Sequence, residues 1–510
     1  MKKLPIGIQT FNKLIQDDYL YVDKTFFVEK LVQSGEYYFL SRPRRFGKSL
    51  FLSTLKSAFK GERELFNGLY LHDHWDWSTT YPVIHISFGS GVMRSVEELQ
   101  TSISYILDVN GSEYAIKYRY SGAKERFAEL IRFLHDKYQQ QVVVLVDEYD
   151  KPILDNIHHP ELAADIREEL KSFYSVIKDS DEFLKFVFLT GVSKFSKVSL
   201  FSGLNNLEDI TLTGEYSSIC GYTQQELENT FSTDLKGHDL KEIRQWYNGY
   251  NWLGDSVYNP FDILLFLKNG IFRNYWFETG TPSFLIKLLQ QRHYLMPDLE
   301  RLVVGEEIIG SFDVDDIRLE TLLFQAGYLT IESCHQVAAF REFTLVYPNL
   351  EVRSSLTSAM LSKLVNSVVE KGRNQSALVK ALQANDLEKL RDVFHTFFAK
   401  IPHDWYRKNQ LSRYEGYYAS IVYCYFAALG VDVTTEESTN HGQIDMVVRF
   451  EDRVYVIEFK VIELTGTGNA LQQIKDKGYA ERFATEETWL IGVEFNSTER
   501  NIVNFEWERA

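Results

Sequence analysis

Residues 42–49 read Arg42-Pro43-Arg44-Arg45-Phe46-Gly47-Lys48-Ser49. The apolar run Tyr37-Tyr38-Phe39-Leu40 precedes them, and Phe51, Leu55, Ala58 and Phe59 recur at helical spacing after them, with Gly61 as the stop. A loop between a strand and the start of a helix offers an anion its backbone N–H groups and the positive end of the helix dipole. Gly47 lets the backbone approach a phosphate closely. Lys48 then reaches the β- and γ-phosphates of a nucleotide, and the Ser49 hydroxyl lies on Mg²⁺. The match to such a phosphate loop is incomplete, because Arg42 stands where the first glycine is usual and Pro43 removes a donor. Arg44 and Arg45 either add charge at the phosphates or are solvated surface charges.

A second cluster follows the apolar run Val142-Val143-Val144-Leu145-Val146, which ends in Asp147-Glu148. An apolar strand tipped by two acids supplies Asp147 to hold Mg²⁺ and Glu148 to orient or deprotonate an attacking water. A charged strand end meeting solvent would look the same in isolation. The two clusters occur in the order a nucleotide-hydrolysing site requires, with the run Val83-Ile84-His85-Ile86-Ser87-Phe88 between them. ATP and Mg²⁺ are the expected cofactors. Arg44, Arg45, Phe46, Gly47, Lys48, Ser49 and Asp147 are the expected cofactor-binding residues.

A third cluster lies near the C-terminus. Asp445 is followed thirteen residues later by Glu458-Phe459-Lys460. Alternation along a strand puts Glu458 and Lys460 on one face, and Asp445 reaches that face from the neighbouring strand. Two carboxylates suit Mg²⁺, and a lysine beside them positions or activates water for attack on a phosphodiester. Asp445, Glu458 and Lys460 are therefore candidate catalytic residues, with Asp445 and Glu458 as metal ligands. Charges on exposed strand faces are ordinary, so the surrounding order of elements carries much of the weight.

The elements that must position these clusters divide the chain in three. Over residues 1–215, strand-like apolar runs, including Phe186-Val187-Phe188-Leu189, alternate with helical patterns, which predicts a doubly wound parallel α/β sheet. Residues 216–400 read mostly as helix, a lid or spacer, with a capping box at Thr223-Gln224-Gln225-Glu226. Residues 401–510 read as α-β-β-α-β: a helix over 414–429, strands over 444–450 and 453–460 joined at Glu451-Asp452, a helix over about 470–483, and a strand over 488–493.

Composition narrows the function class. The 510 residues carry a net charge of −16, which opposes a protein coated with polyanion, because nucleic-acid affinity comes largely from Lys and Arg. Residues 401–510 alone hold 18 acids against 11 Lys plus Arg. The aromatic share of 15% reads as core rather than base-stacking surface. Cys220, Cys334 and Cys424 form no CxxC pair and have no identifiable His partner, which fits a reducing cytoplasm and gives no support to a cysteine nucleophile. His72-Asp73-His74 has too few partners for a metal site. The start Met1-Lys2-Lys3-Leu4-Pro5 leads into no apolar segment, so neither a signal peptide nor a membrane span is expected.

The segment Ser41 to Ser49, with Val146-Asp147-Glu148-Tyr149-Asp150 and the opening Ile6-Gly7-Ile8-Gln9 and Tyr21-Val22-Asp23-Lys24-Thr25, resembles the bacterial AAA-ATPase-like family. Members often carry a C-terminal PD-(D/E)XK nuclease-like domain. The resemblance implies an additional-strand P-loop NTPase fold whose arginine-rich loop accounts for Arg42. It also implies a sensor strand ending at Thr190, with Ser193 just beyond, whose polar residue feels the γ-phosphate. The C-terminal cluster resembles the PD-(D/E)XK core, with Ile444 where the motif has proline. Glu415 then looks like the auxiliary acid and Gln472 like an accessory polar residue. The function implied is that of an ATPase coupled to a Mg²⁺-dependent nuclease acting on DNA or RNA, with no membrane partner and room for an oligomer. The alternative is a nucleotide-gated signalling or interaction protein whose C-terminal domain binds without cutting.

Overall fold

A computed structural model describes residues 2–194, 206–280, 285–286, 288–289, 292, 294–310, 318–364, 368–399, 415–439, 442–462, 469–496, 499 and 501–510. The chain forms two compact units, Met1–Gly280 with Val303–Asn349 and Thr281–Leu302 with Leu350–Ala510. The 216–400 span is thus shared between them.

The first unit is built on strands β1 (Tyr37–Ser41), β2 (Val83–Ser87), β3 (Val142–Asp147), β4 (Leu184–Gly191) and β5 (Glu208–Asp209). Their order is β2-β3-β4-β1-β5, and every neighbouring pair is parallel. β4 is the additional strand, inserted between the strand that leads into the phosphate loop and the strand tipped by acids. Val142 to Val146 are all fully buried, which an apolar run achieves only when both faces of its sheet are covered. Helices Lys48–Phe59, Val96–Tyr114, Ala123–Tyr138 and Pro160–Asp179 alternate with these strands.

The remainder of the unit is not purely helical. Short strands β6 (Tyr222–Thr223) and β7 (Val257–Tyr258) pair, and β8 (Leu302–Gly305), β9 (Thr330–Val337) and β10 (Phe340–Val346) form a sheet in the order β8-β10-β9. The capping box at Thr223 and Glu226 is formed. Glu226 also receives Lys24, whose ammonium donates to both carboxylate oxygens at 2.6 and 2.7 Å and to the Ser218 carbonyl at 2.7 Å. This part-buried pair ties the N-terminal segment to the start of helix Gln224–Thr230.

Arg42 is fully buried and faces away from a phosphate role. Its guanidinium donates to the carbonyls of Ser41 (2.8 Å), Thr211 (2.9 Å) and Tyr216 (3.1 Å) and lies 4.2 Å over the ring of Trp252. Burial pulls its pKa down to about 10, so it remains charged at neutral pH. The residue in the usual glycine position is therefore a strut between the phosphate loop and the chain around 211–216.

The second unit carries a five-stranded sheet of β11 (Asp432–Thr439), β12 (Gly442–Phe450), β13 (Arg453–Val461), β14 (Glu487–Asn496) and β15 (Asn501–Arg509), in that order. β13 and β14 are parallel and the other neighbours antiparallel. Helix Glu415–Ala428 precedes the sheet. The expected helix over 470–483 is broken: Ala470–Asp476 is helical, Gly478 takes φ 61°, and Tyr479–Phe483 continues as a 3₁₀ turn. Two edge strands add to the α-β-β-α-β order: β11 between the first helix and β12, and β15 after β14. Ile474, Tyr479 and Phe483 pack onto Ile444, Val447, Val454, Val456 and Leu490 to form the core.

Two stability measurements test these supports. Arg42→Met leaves buried carbonyls without donors and is expected to cost about 2–4 kcal/mol in chemical denaturation. Arg42→Lys should not recover that loss, because one ammonium cannot reproduce the planar fork; wild-type stability for the lysine variant would contradict the strut. A Cβ at Gly492 would lie 2.3 Å from the Leu471 backbone nitrogen, so Gly492→Ala should destabilise the second unit by about 1–3 kcal/mol.

Candidate functional site

Gly47 opens helix Lys48–Phe59 with φ 94°, a left-handed conformation that a side chain would strain. Lys48 is buried, and its ammonium donates to the carbonyls of Arg42 (2.8 Å) and Pro43 (2.9 Å). Burial lowers its pKa, and the negative charge of Asp147 opposes that shift. Ser49, one residue on, opens the same helix, which packs against β3 and so comes near enough to Asp147 to favour its ionised form. The turn around Gly47 and the tip of β3 thus meet, two strands apart in the sheet.

Burial raises the Asp147 pKa, while Ser49 and Lys48 act in the other direction. Asp147 Oδ1 is buried without a hydrogen-bond partner among the described residues. An acceptor left in this state costs free energy until a donor or cation reaches it. The residues present therefore fit a hydrated cation beside Ser49 and Asp147. Glu148, at φ 52°, turns its carboxylate toward Gly89, just past the end of β2.

Gly47, Lys48, Ser49, Gly89 and Glu148 line a cavity of about 440 Å³, with Asp147 buried behind them. Its wall includes Arg44 through Ser49 and Glu148, and also Tyr21, Ile219, Phe261 and Leu264 from more distant segments. A wall that combines apolar side chains with convergent charged and polar groups suits a small ligand with a ring and a charged tail. Arg44 and Arg45 are exposed, and the Arg45 guanidinium lies 5.0 Å over Phe261. Phe46 is buried edge-on against Tyr250 and Trp252 with ring centroids at 4.8 and 5.4 Å, so its side chain anchors the loop. Its carbonyl accepts from Gly221 N at 3.2 Å.

Val146 pairs with Leu189, so Asp147 and Thr190 stand side by side on the same face one step further on. The Thr190 hydroxyl is buried and has no partner among the described residues. Ser193 is differently engaged: its hydroxyl donates to Asp150 Oδ2 at 2.6 Å.

In the second unit, Met446 pairs with Ile457, and one step outward Asp445 stands opposite Glu458. Asp445 Oδ2 accepts from Phe459 N at 2.8 Å. Glu458 is buried at 3% exposure and accepts from the Gln473 side chain. Lys460 is half-buried and pairs in register with Glu494. Gln472, the residue expected here, is exposed and donates to Asp476 at 2.7 Å. Buried Ala470 and Ile474 mark the face of helix Ala470–Asp476 that meets the sheet, and Gln473 adjoins that stripe while Gln472 is rotated off it. Glu494, also unforeseen, is buried and accepts from Ala470 N (3.1 Å) and Asn504 Nδ2 (3.3 Å). Glu415 opens its helix, but its side chain lies outside the described residues.

Among the described residues no group of three His, Cys, Asp or Glu side chains converges as a metal cage. Asp445 with Glu458 is a more open two-carboxylate pair, the arrangement that suits an ion retaining water and substrate oxygens. His72 and His74 are taken up locally, by Asp73 at 2.8 Å and by the Tyr70 carbonyl at 2.7 Å. No helix among the described residues is long and apolar enough to cross a membrane.

Both units match known families. Residues 5–201 match the family described as Predicted AAA-ATPase, and residues 413–505 match the PD-(D/E)XK nuclease superfamily. A protein of Azotobacter chroococcum mcd 1, described as an uncharacterized protein in the vnfD 5′ region, is 53% identical over 507 residues, covering 99% of this chain and 98% of its own. With the β2-β3-β4-β1-β5 sheet beneath the one site and the mixed sheet beneath the other, the chain belongs to the bacterial AAA-ATPase-like family with a C-terminal PD-(D/E)XK nuclease-superfamily domain.

Proposed function

We propose that the first unit binds and hydrolyses ATP with Mg²⁺, and that the second is a Mg²⁺-dependent nuclease for DNA or RNA phosphodiesters whose action is coupled to that hydrolysis. The observation that carries the first half is the packing of the helix that opens with Lys48 and Ser49 against β3, which brings a cation, a hydroxyl and a buried carboxylate oxygen, unpartnered among the described residues, to one helix N-terminus. Backbone N–H groups from Gly47 onward hold the triphosphate, and Lys48 neutralises it. Ser49 and Asp147 hold the ion, which supplies charge neutralisation for the leaving phosphates. Glu148 orients the attacking water and takes its proton. Thr190, whose hydroxyl stands level with Asp147 and has no partner among the described residues, senses the γ-phosphate in preference to Ser193. The apolar part of the cavity around Phe261 and Leu264 takes the nucleoside.

At the second site, Asp445 and Glu458 hold the ion, Lys460 positions the attacking water, and Gln473 orients Glu458. The acidic balance of residues 401–510 favours a second reading, in which this domain recognises a partner or nucleic acid without cutting it.

Lys48→Ala should reduce phosphate release to background, a loss of about 10²-fold or more. Glu148→Gln should retain ATP binding in a calorimeter while losing turnover; wild-type turnover in either variant would overturn the assignment. With plasmid or RNA in Mg²⁺, the wild-type chain should cut and Lys460→Ala should lose at least about 10²-fold while still binding. Cleavage by Lys460→Ala at the wild-type rate would remove Lys460 from the chemistry. A wild-type chain that binds nucleic acid and never cuts it would favour the recognition module.

A further inference from the structure

Asp150 follows the acidic tip of β3 by three residues, yet it does not line the cavity. It is 1% exposed. Its Oδ2 accepts three hydrogen bonds, from Val192 N at 3.0 Å and from Ser193 N and Ser193 Oγ, both at 2.6 Å. The turn that donates these bonds comes directly after Thr190. Its other polar groups lead back to the same two strand tips: Ser193 O accepts from the Tyr149 hydroxyl at 3.0 Å, and Tyr149 N donates to Thr190 O at 3.1 Å. On the opposite side, Gly191 O accepts from Arg42 N at 3.2 Å, and Val192 O accepts from Ser41 Oγ at 2.5 Å.

Gly191 is what allows this closeness. A Cβ there would lie 2.4 Å from Asp150 Oδ1 and 2.6 Å from the Tyr149 ring. The 191–193 turn is thus bonded to the tip of β3 through Tyr149 and Asp150 and to the start of the phosphate loop through Ser41 and Arg42. Three donors of the turn converge on Asp150 Oδ2, while Oδ1 faces Gly191 and has no hydrogen-bond partner among the described residues, so every bond to this carboxylate comes from the turn. The residue that leads into this turn is Thr190, which β4 pairs with Leu40 and whose carbonyl accepts from Tyr149 N; its hydroxyl is buried and unpartnered beside Asp147 among the described residues.

Resting on the ATPase reading above, we propose that Asp150 is a positioning residue for ATP hydrolysis: by holding Val192 and Ser193 it fixes the Thr190 hydroxyl relative to Lys48 and Asp147. Asp150 acts through the turn and touches neither nucleotide nor ion. Its loss therefore misplaces the sensor while leaving phosphate binding by Lys48 and the loop amides in place. Small misplacements of this kind are felt in the reaction rate far more than in ground-state binding.

The test is steady-state ATP hydrolysis by the full chain, with Asp150→Asn, Ser193→Ala, Thr190→Val and the Asp150→Asn/Thr190→Val double variant. Ser193→Ala removes only one of the three bonds and serves where Asp150→Asn folds poorly. The expected result is a fall in kcat of about 10-fold to 10²-fold for Asp150→Asn and Thr190→Val, and a smaller fall in the same direction for Ser193→Ala. KM for ATP should stay within about twofold throughout. The double variant should be no slower than the slower single variant, because both changes disable one unit. Wild-type kcat in Asp150→Asn and Ser193→Ala, losses that multiply in the double variant, or a change confined to KM would each overturn the proposal. Lys48→Ala run alongside separates the two failures. If it is inactive while Asp150→Asn turns over normally, only the role of Asp150 falls. If it hydrolyses ATP like the wild type, the ATPase reading falls and the proposal with it.

Discussion

A buried positive charge must be met by acceptors, and the phosphate loop is organised around two such charges on its opposite sides. The Lys48 ammonium is held by the carbonyls of Arg42 and Pro43. The Arg42 guanidinium is held by the carbonyls of Ser41, Thr211 and Tyr216 and by the face of Trp252. Neither cation has a carboxylate in direct contact among these partners, so both depend on dipoles that the backbone must hold in place. A glycine at position 42 would give the loop more freedom and the carbonyls at 211 and 216 no donor. Arginine gives the loop a fixed base instead, and Lys48 then reaches the carbonyls of that base. The buried Phe46 ring pins the same loop against Tyr250 and Trp252, so Arg44 and Arg45 are left as its exposed part.

Much of the first unit was legible from residue type and order. Continuous apolar runs at 37–40, 83–88, 142–146 and 186–189 all became strands of one parallel sheet, because nothing but burial on both faces accommodates Val-Val-Val-Leu-Val. The association of Lys48, Ser49 and Asp147 follows once that sheet is accepted. The roles of Arg42 and Asp150 were not legible in the same way. Their partners are backbone groups at 192, 193, 211 and 216, and backbone groups leave no trace in residue identity. Ser193 illustrates the converse. Its position beyond β4 made it a candidate for sensing phosphate, but a buried acid forty-three residues away in sequence claims its hydroxyl.

The second unit was legible in its centre and obscure at its edges. β12 and β13 carry alternating or continuous apolar residues and a two-residue turn at Glu451-Asp452, with Glu451 at φ 52°. β11 reads Asp-Val-Thr-Thr-Glu-Glu-Ser-Thr, an edge strand whose charges discourage pairing with other chains and also hide it from any search for hydrophobic runs. The exchange of Gln472 for Gln473 has a simpler origin. One residue turns a helix by about 100°, and only the buried positions Ala470 and Ile474 reveal which glutamine lies along the sheet-facing stripe. Glu494 was hidden because an acid on a strand reads as surface. It is buried here because Gly492, two residues earlier on the same face, lets helix Ala470–Asp476 come down onto the sheet and present Ala470 N to it.

The acids at the tip of β3 show how a short segment sends one carboxylate toward the cavity and buries another. Asp147 is still in the strand, and its direction is set by alternation, so it must point either into the sheet's covering layer or toward the phosphate loop. Glu148 leaves the strand with a positive φ, which swings its carboxylate toward the cavity. That change of direction returns Tyr149 and Asp150 to the protein interior, where a carboxylate is tolerated only among donors. The turn after Thr190 is the nearest source of such donors, since its N–H groups have left the β4 ladder and need acceptors of their own. The pairing of Asp150 with residues 192 and 193 therefore answers two unmet needs at once. It also leaves Thr190, at the strand end, as a neighbouring polar group with no bond to its hydroxyl from any described residue.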